Sequence, residues 1–133
     1  GGAATVIDNP QKTGINTSNR VARLVKNAGA VWAGSLIQLR NPIDFTTNKS
    51  FKVKVYSPRA GARLLLKVEN KSDGGISFQD EKQTTQANAW EELTFNFGGI
   101  NVANQYQNVV FIFDNGTVGD GTANFTFLVD DVR

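Results

Sequence analysis

The sequence contains no cysteine and no histidine among its 133 residues. Without cysteine the chain has no disulfides and no thiol nucleophile, and without histidine it lacks the imidazole base of Ser-His-Asp and Cys-His sites. Zinc sites built from nitrogen and sulfur ligands are excluded for the same reason. Carboxylates, lysine and tyrosine are the remaining acid and base groups, so few catalytic mechanisms stay open.

Long apolar runs and a strong charge of one sign are also missing. The uninterrupted apolar runs are about as short as Leu64–Leu66, far below the roughly 20 residues of a membrane helix. The segment Gly1–Ala4 lacks the pattern of an export signal. The net charge is only +2. We therefore expect a soluble chain, with any export signal either removed or never present, and neither membrane insertion nor a nucleic-acid partner.

The sequence is rich in short runs of β-branched and aromatic residues separated by Gly, Asn, Asp and Ser. This spacing is typical of an all-β antiparallel sandwich, and no window shows a helical apolar stripe. We expect one domain over residues 1–133, with Gly1–Thr5 as a short linker. About eight strands are predicted, at Val21–Lys26, Ser35–Leu39, Phe51–Ser57, Arg63–Glu69, Ile76–Gln83, Trp90–Phe97, Val109–Asp114 and Phe125–Val132.

Pairs of carboxylates are the one catalytic device that the composition allows, because two of them suffice for glycoside hydrolysis. Every candidate pair is adjacent in sequence on a predicted strand, so its two members point to opposite faces and cannot flank one bond. The chain is therefore predicted not to be an enzyme. The pairs are Asp80-Glu81, Glu91-Glu92 and Asp130-Asp131.

Sugar binding requires flat aromatic surface for C–H faces and polar side chains for hydroxyl groups. The sequence has 14 asparagines, although many of them simply suit turns. Trp32 lies between predicted strands beside small residues that leave its ring open, which favours a ligand platform over a plug at the end of the sandwich. Trp90 begins an alternating strand and is predicted to be structural.

Several strings resemble a carbohydrate-binding module with a β-jelly-roll fold, similar to families 4 and 22. Such modules occur on secreted polysaccharide-degrading enzymes and in surface glycan-binding proteins of marine bacteria. The likeness extends over nearly the whole chain. The strings are Asp8–Ser18, Val31–Ser35, Leu66–Asn70, Trp90–Phe95 and Val129–Val132.

The resemblance implies that Trp32 is the stacking platform and that a concave sheet contains the strands Arg63–Glu69, Ile76–Gln83 and Val109–Asp114. If Leu64, Leu66 and Val68 are core, the alternate residues of these strands face the ligand. The implied ligand-binding residues are Trp32, Arg63, Lys67, Glu69, Gln79 and Glu81.

The resemblance also implies a structural calcium ion bound by Asp130 or Asp131. Modules of this type usually begin with a strand that supplies another acidic ligand, and that first strand is missing from the prediction. Either a trimmed fragment or another chain segment at that edge would account for the gap. A solvated pair of aspartates is the alternative reading.

The expected function is non-catalytic polysaccharide binding that brings an attached enzyme or surface system to its substrate. The resemblance favours a neutral β-glucan such as laminarin. An acidic algal polysaccharide is the alternative, because Lys52, Lys54, Arg63 and Lys67 are basic. The competing interpretation is a structural or protein-interaction sandwich. In either case we expect a larger parent protein that is secreted or displayed at the cell surface.

Overall fold

The computed structural model describes residues 1–133 and is a sandwich of two antiparallel sheets. The five-stranded sheet has the order β1-β2-β9-β4-β7 and the four-stranded sheet the order β3-β8-β5-β6. A single 3₁₀ turn, Ala123–Phe125, precedes the last strand. The strands are β1 Gly2–Asp8, β2 Arg20–Lys26, β3 Ser35–Gln38, β4 Ser50–Tyr56, β5 Arg63–Glu69, β6 Ser77–Gln83, β7 Trp90–Asn96, β8 Asn108–Phe113 and β9 Thr126–Asp130.

The all-β sandwich prediction is confirmed, and each predicted strand corresponds to an observed strand with ends shifted by a few residues at most. Alternation explains this success, because a strand with one buried face shows period two in its own sequence. On β4, for example, Phe51, Val53 and Val55 are buried while Lys52 is exposed. No helix in the fold is long and apolar enough to cross a membrane.

The prediction that the first strand is missing was wrong. Gly2–Asp8 forms β1 at the edge of the five-stranded sheet and pairs antiparallel with β2 over its whole length. The Gly-Gly-Ala-Ala start has low β-propensity, so the sequence by itself favours a linker over Gly1–Thr5. It becomes a strand because β2 supplies backbone partners for its amide groups.

The last strand also ends earlier than predicted. β9 stops at Asp130, and Asp131 lies beyond it with a φ of 49°, in the left-handed region. The predicted alternation of Asp130 and Asp131 on one strand is therefore corrected, since a left-handed residue breaks the pleat.

The core lies between the inner faces of the two sheets, with 19 buried apolar residues in one cluster. β5 contributes Leu64, Leu66 and Val68, all fully buried as predicted. The alternate residues of β5 consequently point away from the core, toward the outer face of the four-stranded sheet. This outer face carries the site described next.

Candidate functional site

A groove of about 400 Å³ lies on the outer face of the four-stranded sheet, at its β3 edge. Three of the six predicted ligand-binding residues, Trp32, Lys67 and Glu69, line it. Its floor is apolar and comes from residues that the sequence analysis did not select. These are Leu36 from β3 together with Val110 and Ile112 from β8.

Trp32 is 68% exposed and borders the groove at the loop between β2 and β3. It does not plug the sandwich, whereas Trp90 is 6% exposed, as expected of a structural residue. Close packing at Gly34 holds the loop against β8, since a Cβ there would stand 2.5 Å from the carbonyl oxygen of Phe111. The indole therefore lies open beside an apolar floor, an arrangement suited to stacking a flat ring.

The buried side chain of Lys26 anchors the Trp32 loop, which is the segment between β2 and β3. Its side-chain Nζ donates to the carbonyl oxygens of Val31 at 2.7 Å, Phe113 at 2.8 Å and Asp114 at 2.9 Å. An ammonium group has three N–H donors, so all of them are satisfied. Desolvation lowers the pKa of Lys26, against the opposing effect of the nearby Asp114 carboxylate. The residue before Trp32 is thus tied to the end of β8.

The three remaining predicted residues share the outer face but do not line the groove. Gln79 lies opposite Lys67 in the β5–β6 pairing, and Glu81 lies opposite Leu65. Arg63 donates to the Asn115 carbonyl oxygen at 2.6 Å. These side chains therefore flank the groove on β5 and β6.

Charges on this face neutralise one another. The Nζ of Lys67 lies 3.2 Å from a carboxylate oxygen of Glu69, and a guanidinium nitrogen of Arg63 lies 3.7 Å from a carboxylate oxygen of Glu81. The basic cluster that would join Lys52 and Lys54 to these residues does not form, because both lysines lie on β4 in the other sheet. The face offers paired charges and no basic surface.

Of the two aspartates implied as calcium ligands, Asp130 has a buried carboxylate oxygen without a hydrogen-bond partner, whereas Asp131 is engaged by cations. Asp131 lies 3.1 Å from the Nζ of Lys54 and also pairs with Arg133. The hydrogen bond from Lys54 is the main cause that lowers the pKa of Asp131. No cluster of three or more carboxylate side chains exists anywhere in the chain, whereas calcium takes about six to eight oxygen ligands. Asp131 is thus engaged by two cations, and no group of three or more carboxylates surrounds Asp130 to complete a calcium site.

Calcium should therefore have little effect on stability. An ion that binds only the native state raises the melting temperature by mass action. We expect excess CaCl₂ and excess chelator to give melting temperatures within about 2 °C of each other, since a difference of that size corresponds to well under 1 kcal/mol. A drop of many degrees on chelation, measured by scanning calorimetry, would show that a site exists.

No family model and no curated protein matches the sequence. Several solved structures share the fold. A family 11 carbohydrate-binding module from Clostridium thermocellum, in complex with a β-1,3-1,4-mixed-linked tetrasaccharide, superposes with a TM-score of 0.68 at 10% identity, over 99% of this chain and 81% of that chain.

Two structures that contain family 22 modules also match. The family 22 xylan-binding domain CBM22-2 of Paenibacillus barcinonensis Xyn10C gives a TM-score of 0.55 at 13% identity, over 99% of this chain and 85% of that one. The CBM22-1-GH10 modules of Clostridium thermocellum xylanase 10B, complexed with xylohexaose, give 0.61 at 14% identity, over 98% of this chain and 24% of that one. The chain thus has the β-sandwich fold of carbohydrate-binding modules, in agreement with the resemblance to family 22.

Proposed function

We propose that the chain binds a neutral polysaccharide at the Trp32 groove without catalysing a reaction on it. The observation that carries the proposal is the open indole of Trp32 beside the apolar floor of Leu36, Val110 and Ile112. A pyranose stacked on the indole covers apolar area on both partners, and the polar groups of Lys67 and Glu69 lie within the same groove.

The paired charges support a neutral ligand over an acidic one. A negatively charged sugar in the groove would meet Glu69 together with Lys67, and it would have to break their ion pair to gain a cation. Hydroxyl groups can instead donate to the carboxylate and accept from the ammonium while the pair stays intact. We therefore propose a neutral β-glucan such as laminarin, as the family resemblance implies.

The carboxylates of this face support binding without hydrolysis. Glu69 is the only carboxylate that lines the groove. Glu81 lies across from Leu65, four residues along β5 from Glu69, which places it roughly 13 Å away along the sheet at ~3.3 Å per residue. Glycosidases hold their two carboxyl groups about 5–9.5 Å apart. Both glutamates are also engaged in ion pairs.

The similar solved structures support the same class of ligand and a larger parent protein. One contains a mixed-linked tetrasaccharide and another contains xylohexaose. In the second, the module is joined to a GH10 module of a xylanase. We accordingly propose that this chain directs an attached catalytic or anchoring domain to its glycan, outside the cell or at its surface.

Affinity electrophoresis against soluble polysaccharides tests the proposal. We expect retardation in gels that contain laminarin, with no new reducing ends after prolonged incubation. Parallel gels that contain xylan, galactan or mixed-linkage β-glucan show which polysaccharide the chain binds. No retardation by any neutral polysaccharide would contradict the proposal, and release of reducing ends would contradict the non-catalytic part of it.

A smaller effect is expected for Glu69, the carboxylate that lines the groove. Glu69→Ala removes one acceptor for a sugar hydroxyl, and a hydrogen bond at a partly exposed position contributes about 0.5–1.5 kcal/mol. Isothermal titration calorimetry should show affinity weakened about two- to tenfold without loss of binding. Gln79 lies on β6, the strand next to the groove, so Gln79→Ala should weaken the affinity less than Glu69→Ala. Complete loss of binding in Glu69→Ala would mean that Glu69, and not Trp32, makes the main contact with the sugar.

A protein-interaction role has one observation in its favour. An apolar crevice of about 300 Å³ opens between the sheets at the β1 and β3 edges, where Val6 is 65% exposed and Ile37 is 47% exposed. Exposed apolar surface of this kind suits protein contacts. Self-association through this crevice, measured by size-exclusion chromatography with light scattering, would support the protein-interaction role.

A further inference from the structure

A second groove, of about 490 Å³, lies on the outer face of the five-stranded sheet. Its floor is a row of side chains that crosses three strands. Arg23 on β2 lies opposite Leu128 on β9, and Leu128 lies opposite Tyr56 on β4. This face is opposite to the one that carries Trp32, so a ligand in the second groove would not touch the first.

The aromatic part of this floor is held firmly. The ring of Tyr56 packs edge-to-face on Trp90 with centroids 5.6 Å apart. Trp90 is buried and donates from its indole nitrogen to the carbonyl oxygen of Gln11 at 2.7 Å. That bond ties the loop between β1 and β2 to the sheet as one wall of the groove. The half-buried Tyr56 thus presents a ring in a fixed position.

Arg23 supplies the only charge in this groove. No aspartate, glutamate or lysine lines it. Arg20, Arg59, Arg63 and Arg133 each form an ion pair with a carboxylate. Arg23 is exposed, and its guanidinium takes part in no hydrogen bond or ion pair within the chain. Because a guanidinium without a carboxylate partner is free to bind an anion in bidentate fashion, the groove is complementary to a carboxylate or sulfate.

We propose that this groove binds an acidic saccharide, one whose pyranose ring covers Tyr56 and Leu128 and whose carboxylate or sulfate pairs with Arg23. Adjacent strands are ~4.8 Å apart, so Arg23 and Tyr56 lie about 10 Å apart across the sheet. One sugar ring with its charged substituent spans that distance. The side-chain amides of Gln11 and Asn88 border the groove and form no hydrogen bonds within the chain, which leaves them for sugar hydroxyls.

That the ligand is a saccharide rests on the proposed function, whereas its negative charge is inferred from the groove itself. The two sites thus differ in charge: the Trp32 groove has compensated ion pairs, and the Tyr56 groove has one uncompensated cation. A module with both would bind neutral and acidic glycans independently. Failure of one site leaves the other intact, so the two proposals are tested separately.

Calorimetric titration with trigalacturonate, its fully methyl-esterified form and a carrageenan tetrasaccharide tests the proposal on the intact chain. We expect binding of at least one acidic probe and at least tenfold weaker binding of the neutral ester. Arg23→Gln should weaken the affinity for the acidic probe at least tenfold, since a charge-assisted pair between protein and ligand is lost. Carboxylate and sulfate are distinguished by which acidic probe binds.

Arg40→Gln is the matched control, because Arg40 is likewise unpaired and exposed but lies outside the groove. It should bind the acidic probe like the parent, and so should Trp32→Ala. In ¹⁵N–¹H spectra of the parent, Arg23 and Thr126 amides should shift and the Trp32 indole should not. Three outcomes overturn the proposal: neither acidic probe binds at millimolar concentration, Arg23→Gln binds as the parent does, or tripolyphosphate binds as well as the saccharides.

Discussion

Replacing Trp32 with alanine should abolish measurable binding of the neutral polysaccharide. Stacking a pyranose on an indole removes apolar area on both partners from water, which contributes on the order of 1.5–3 kcal/mol, or roughly ten- to a hundredfold in affinity. A module whose starting affinity lies near millimolar would fall below detection after such a loss, and a tighter one would show the full ten- to hundredfold weakening. Because Trp32 is 68% exposed, its removal should leave the fold and the melting temperature unchanged.

Ile15→Ala is a suitable control for this variant. Ile15 is also a large exposed apolar residue, at 52%, but it lies in the loop between β1 and β2, away from the four-stranded sheet. Its truncation should leave glycan affinity unchanged. If folded Trp32→Ala protein binds the polysaccharide as the parent does, the binding face has been assigned to the wrong sheet.

Replacing Lys26 with methionine should have the largest effect on stability. The substitution keeps an unbranched apolar stem but removes three charge-assisted hydrogen bonds, those to the carbonyl oxygens of Val31, Phe113 and Asp114. The Val31 and Asp114 carbonyls keep a backbone donor, from Gly116 and Thr117. The Phe113 carbonyl loses its donor, and an unsatisfied buried acceptor costs about 1–3 kcal/mol, so the three losses together outweigh the relief of ammonium desolvation. We expect a net loss of about 2–4 kcal/mol, which lowers the melting temperature by about 10 °C.

The same variant should weaken glycan binding, since the Val31 carbonyl joins the Trp32 loop to β8 through Lys26. At temperatures where the variant remains folded, we expect affinity reduced by roughly fivefold, about 1 kcal/mol of lost positioning. Lys52→Met is the control, because Lys52 is exposed on β4. Unchanged melting temperature and affinity in Lys26→Met would show that water replaces the ammonium without cost.

Alkaline titration gives a second readout for Lys26. Desolvation lowers its pKa in the folded chain below the ordinary value of 10.5. Between the two pKa values the unfolded chain binds a proton that the folded chain does not, so the free energy of unfolding gains a positive slope with pH. Denaturant unfolding at several alkaline pH values should show this contribution in the parent and not in Lys26→Met. Equal slopes would mean that the folded-state pKa is ordinary.

The sequence alone was sufficient for the fold class and for the faces of most strands. Alternation within one strand, such as Phe51-Lys52-Val53, is a local property, and it reports which side of that strand is buried. The same reasoning placed Lys67 and Glu69 on the outer face and identified Trp32 as the exposed aromatic residue. Small neighbours around Trp32 were the local signal for its open ring.

Tertiary structure decided the features that depend on pairing between distant segments. β1 is a strand only because β2 accompanies it, and its own residues carry no pattern. Leu36, Val110 and Ile112 look like core residues in sequence, yet the order β3-β8-β5 places them side by side on the outer face as the groove floor. Residues on different strands become neighbours through strand order and register, which alternation within each strand does not specify.

Charge pairing and burial of polar groups were likewise fixed by the fold. Nothing in the sequence around Lys26 distinguishes it from a solvated lysine at the end of a strand, and only the carbonyl oxygens of Phe113 and Asp114, 87 and 88 residues away, make its burial possible. The neutral character of the Trp32 groove and the uncompensated charge of Arg23 have the same origin. Composition sets the number of charges, whereas the distances between them follow from how the strands pack, and those distances determine electrostatic energies.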